Sequence, residues 1–105
     1  MDFTHEIAHF LTEAIGGICI TREATHQIVF ADASVERLYG PALVGRNALE
    51  VLPWEARSLQ LPLSRDKAVE WEYVDQERRT YWHLNHGLFD KDGVVYKIGQ
   101  LTNTT

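Results

Sequence analysis

Two apolar runs near the C-terminus, Thr80–Phe89 and Val94–Thr102, are separated only by Asp90-Lys91-Asp92-Gly93. β-branched and aromatic residues recur in both, and an Asp-Gly pair in so short a connection favours a tight hairpin, so the runs are predicted to be neighbouring antiparallel strands. A third run of the same kind, Ala68–Val74, precedes them and should pair next. Strands need a covering layer for their apolar face, and the upstream half supplies short helices for it. Asp32 or Ser34 can cap a helix through Leu38, which Tyr39-Gly40-Pro41 stops, and Asn47–Leu52 reads as another. Pro53 and Pro62 bracket Trp54–Leu61, which has room for one or two helical turns.

Ahead of these lie two further β-like runs, Ile18–Thr21 and Gln27–Ala31, joined by polar Arg22–His26 as in a hairpin. At the start, Phe3, Ile7, Phe10, Leu11 and Ala14 recur at steps of three and four, opposite His5, Glu6, Thr12 and Glu13, until Gly16-Gly17 ends the pattern. That is an amphipathic helix. Two strands, several small helices and three strands together predict an α+β chain with one sheet and helices on one face.

With 105 residues there is room for one domain, residues 1–105. Ten basic and 15 acidic residues give a net charge of −5, with no basic run beyond Arg78-Arg79, so nucleic acid is not an expected direct partner. Cys19 is the single cysteine, which excludes an intrachain disulfide and fits a reducing compartment. Asp2, Glu6 and the lack of a long apolar run argue against a signal peptide or membrane span, so a cytoplasmic location is expected.

Catalytic readings find little support. His83, His86, Asp90 and Asp92 lie close in sequence, but positions 83 and 86 fall on opposite faces of a strand, and aspartates in a turn usually bond locally. There is no nucleophile elbow, phosphate-cradling glycine loop or HExxH, and Cys19 sits in an apolar strand where thiols are inert. His5 and His9 have helical metal-ligand spacing without a third ligand, so no metal is expected. The chain reads as a non-enzyme.

Ile28-Val29-Phe30-Ala31-Asp32-Ala33, Leu38-Tyr39-Gly40 and Leu43-Val44-Gly45-Arg46-Asn47 follow one another in an order that resembles the PAS superfamily. Tyr81-Trp82-His83-Leu84, Asp90-Lys91-Asp92-Gly93 and a terminal Asn103-Thr104-Thr105 continue the resemblance over nearly the whole chain. It implies a flanking helix over residues 1–15, a core over 17–105, a five-stranded antiparallel sheet in spatial order 2-1-5-4-3, and a ligand cavity between sheet and helices. Gly45-Arg46-Asn47 and Tyr81-Trp82-His83-Leu84 are most similar to the flavin-binding light-oxygen-voltage branch. Ala48 stands where that branch has its photoactive cysteine, and Leu49, Glu50, Val51 and Leu52 stand where it holds the flavin chain and phosphate. Leu52–Ser64 contains no histidine for a haem. Neither flavin nor haem is expected as a cofactor.

The resemblance implies a sensory or regulatory module of a signalling protein, coupled to an effector domain or a partner protein. Two forms are open: a module that binds a small polar or anionic metabolite and relays it through dimer contacts, or a ligand-free dimerisation module. The short connection from Leu52 to Lys67 leaves little cavity wall, favouring a small ligand or none. Periodicity alone would bury Trp82 and Leu84. The light-oxygen-voltage resemblance implies the reverse, with His83 and Asn85 in the cavity, and this is the facing expected here. The expected ligand residues are then Phe30, Tyr39, Asn47, Tyr73, His83, Asn85 and Gln100. A homodimer is expected through the N-terminal helix and the outer sheet face, using Phe3, Ile7, Phe10, Leu11, Trp82 and Leu84.

Overall fold

The computed structural model describes residues 2–10, 17–65, 67–77 and 79–103, excepting the side chains of His9, Phe10 and Asn103. In chain order the elements are α1 (Thr4–Phe10), β1 (Ile18–Arg22), β2 (Ile28–Ala31), α2 (Ala33–Tyr39), α3 (Ala48–Val51), α4 (Glu55–Ser58), β3 (Val69–Asp75), β4 (Thr80–Lys91) and β5 (Val94–Asn103). The strands form one antiparallel sheet in the order β2-β1-β5-β4-β3.

Local chemistry sets the joints. Lys91 pairs with Val94, and the two residues between them, Asp92 and Gly93, both take positive φ (53° and 79°). That is the turn whose twist matches the strands it joins. Asp32 caps α2, its Oδ1 accepting the Val35 N–H at 3.1 Å, while its Oδ2 accepts the Ile18 N–H at 2.9 Å. One carboxylate thus fixes the start of α2 to the start of β1. Gly17 has φ 72°, and a Cβ there would lie 2.2 Å from the Leu101 carbonyl oxygen, so only glycine lets β1 enter the sheet this close to β5.

Strand register sorts side chains onto two faces. On the inner face Cys19, Trp82, Leu84 and Leu101 pack with Ile28, Val35, Leu43, Ala48, Leu52 and Trp54. On the outer face Ile18, Ile20, Tyr96 and Ile98 pack with Phe3, flanked by Ile7, Val29, Phe30, Phe89 and Val94. Phe3 meets Tyr96 and Phe89 edge to face, at 5.2 and 6.0 Å, and Lys91 Nζ reaches Glu6 Oε1 at 3.1 Å.

Two expectations are corrected. Trp82 and Leu84 face the helices, 4% and 0% exposed, and His83 and Asn85 lie on the outer face. Plain periodicity was the sounder guide, because the helical layer presents Trp54, Val35 and Leu52 and needs large apolar partners beneath it. Nor do Phe3 and Ile7 form a free stripe for a second subunit: Phe3 is 3% exposed, packed with Ile7 against the sheet of its own chain. The surface that α1 covers comes from β1 and β5. The Phe10 side chain and Leu11 lie outside the described residues.

Candidate functional site

Where β4 begins and β5 ends, the sheet and α2 diverge around a cleft of about 300 Å³ lined by Gly17, Ser34, Val35, Leu38, Tyr39, Trp82, Leu101 and Thr102. Tyr39 is held there by its edge contact with Trp54 (5.1 Å), and Trp54 in turn leans on Trp82 (6.1 Å). The lining is largely apolar, and no charged residue belongs to it. Trp82 is buried, and its indole N–H meets no acceptor among the described residues. A buried donor without an acceptor carries a desolvation cost of about 1–3 kcal/mol.

Toward the other end of the inner face the interior is polar and closed. Glu55 and Ser58 are the buried residues of α4, and β5 aims Lys97 at both. Lys97 Nζ donates to Ser58 Oγ at 2.8 Å and makes a direct ion pair with Glu55 Oε1, and Ser58 Oγ lies 2.7 Å from the Glu55 carbonyl and 3.0 Å from its Oε1. Burial pushes Lys97 below the usual lysine range. Nearby on β4, His86 accepts the Trp71 indole N–H at 2.8 Å, and burial pushes its imidazole down to about 4. Cys19, buried beside them on β1, has its thiol pushed up to about 12, so thiolate chemistry is closed to it.

No family model matches the sequence, and no curated protein is similar to it. The crystal structure of a PAS domain from a two-component sensor histidine kinase is similar over 95% of this chain and 96% of that one, at 12% identity and a TM-score of 0.54. The chain has the PAS fold.

Set in that fold, the residues expected to bind a ligand scatter. Tyr39 lines the cleft. Tyr73 is on the inner face at the sheet's edge, where the Arg57 guanidinium lies 5.4 Å over its ring. Asn47 is used locally, its Oδ1 accepting the Leu49 N–H at 2.9 Å to cap α3. Phe30 packs on the outer face with Val29. Gln100 pairs in register with Asn85 and Ile18, which puts it on the outer face of the PAS sheet too. His83 lies 3.9 Å from Glu70 Oε1 with 40% of its side chain exposed. Asn85 borders a separate shallow cleft with Pro62, Ser64, Lys67, Ala68, Val69 and Glu70.

Sequence reasoning missed Trp82, Val35, Leu38 and Leu101 as cleft walls, because apolar residues at core spacing carry no mark of a cavity between them. It also missed Lys97 and Glu55. A lysine inside the apolar run Val94-Val95-Tyr96-Lys97-Ile98 was the one available signal for the first. Among the described residues no group of three His, Cys, Asp or Glu side chains could hold a metal, and no helix is long and apolar enough to cross a membrane.

Proposed function

We propose that this chain is a sensory module of a signalling protein that takes a small, uncharged, largely apolar ligand in the cleft beside α2. The largely apolar lining of the cleft, with Trp82 in its wall and no charged residue, is the observation that carries this reading. It replaces the polar or anionic metabolite expected from sequence, since the lining has no cation to meet an anion. The volume suits a ligand at the small end of the usual range. The cleft also borders Gly17 and Thr102, next to the points where the chain enters and leaves the sheet, so an occupant presses on both connections. Output then passes to an effector or partner protein, with a second copy docking on the outer face beyond α1, where Val74 and Tyr81 are exposed. Similarity to a domain of a sensor histidine kinase supports the signalling side of this reading. No catalytic step is part of it.

The test is native mass spectrometry of freshly purified protein, followed by titration with acetophenone, an aromatic ring with one carbonyl acceptor, read by tryptophan fluorescence. Binding to the wild type and its loss in Leu38→Trp, which fills the cleft, are the expected results. Absence of both a copurified mass and any acetophenone response would remove the ligand from the proposal. A second reading, a ligand-free dimerisation module, is favoured by the filled centre, where Trp54, Leu84 and the Lys97–Glu55 pair occupy the space between helices and sheet. A dimer mass with nothing added selects it.

A further inference from the structure

Among the described residues Lys97 Nζ meets Ser58 Oγ and Glu55 Oε1. An ammonium offers three protons and a serine hydroxyl one, and a buried cation needs a counter-anion. Glu55 fills that role in direct contact, meeting both Lys97 and Ser58 through one oxygen, Oε1, while Glu23 adds a charge attraction to Lys97. Beside them Thr21, paired in register with Lys97 across β1 and β5, is 2% exposed with an Oγ1 that has no partner among the described residues. A carboxylate free of a tether could place its second oxygen toward such a donor.

The helix that carries Glu55 has four residues, starts at Trp54 without a side-chain cap, and exposes Ala56 and Arg57. Trp54 before it and Ser58 at its end are 1% and 0% exposed, so the turn stays seated on the core and only the Glu55 side chain fills the seat beside Lys97. We propose that Lys97, Ser58 and Thr21 form a carboxylate-binding site that the chain occupies with its own Glu55, and that a small monocarboxylate takes the same seat when the Glu55 side chain is removed. This site shares no lining residue with the cleft beside α2, so the two stand or fall separately.

Thermal unfolding of Glu55→Ala in 100 mM sodium acetate, against 100 mM sodium chloride, tests the proposal. Acetate is expected to raise the variant's Tm by about 4 °C or more over chloride, since a ligand bound by the folded state alone stabilises it. Wild type, whose seat is filled, and Glu55→Ala/Lys97→Met, which lacks the cation, should show no acetate-specific rise. Glu55→Gln, which fills the seat without charge, should show none either. If Glu55→Ala unfolds in chloride, recovery of its native circular dichroism in acetate supports the site. Equal Tm values in the two salts, no recovery in either, or an equal acetate response in Glu55→Gln would overturn it.

Discussion

His86 lies against Gly99, where a Cβ would come within 2.6 Å of its Nε2, and its Nδ1 accepts from Trp71. Both contacts suit a neutral ring. Because burial lowers its folded pKa from 6.5 to about 4, the unfolded chain binds more protons between those values. Stability from this residue is therefore complete above pH 6.5 and is lost as pH falls toward 4, by about 3 kcal/mol in all. Urea denaturation of wild type and His86→Gln at pH 7, 5.5 and 4 checks this. The variant should be less stable at pH 7 and lose less on acidification; parallel losses would remove His86 as the cause. That His86 and His83 point to opposite faces was legible from their odd spacing alone. Which face was the interior was legible too, since apolar Trp82 and Leu84 alternate with polar His83 and Asn85, and only the light-oxygen-voltage resemblance argued the other way.

The strands and the hairpin turn were readable because a period of two and an Asp-Gly turn are local properties, and the caps at Asp32 and Gly40 likewise depend on near neighbours. The destination of α1 was a different matter. Its stripe announced an apolar partner, but its own residues could not say whether that partner belonged to the same chain. The answer lay in β1 and β5, where Ile18, Ile20, Tyr96 and Ile98 give the outer face an apolar half. Phe3, with Ile7 beside it, joins them, so Phe3→Ala should cost about 3–5 kcal/mol. Urea denaturation measures the loss, and increased binding of an apolar dye should accompany it as that half of the sheet is uncovered. A change under about 0.5 kcal/mol would mean that α1 contributes little to the fold in solution.

For the molecule as a whole, the decisive feature is the sheet order. β1 and β5, near opposite ends of the described chain, lie side by side in the middle, and the hairpins β1–β2 and β3–β4 meet only through β5. Remove β5 and two separate ribbons remain, each of a kind that is marginal in water. A chain ending at Gly93 should lack the cooperative unfolding transition of the full protein, as followed by circular dichroism; a cooperative melt in that truncation would show that the helical layer holds the hairpins together by itself. On the ribosome the same arrangement imposes a waiting time. The first hairpin emerges ahead of the rest of the sheet, yet its central edge has no neighbour until β5 clears the exit tunnel, so throughout that interval the nascent chain presents an open strand to whatever chaperone is nearest.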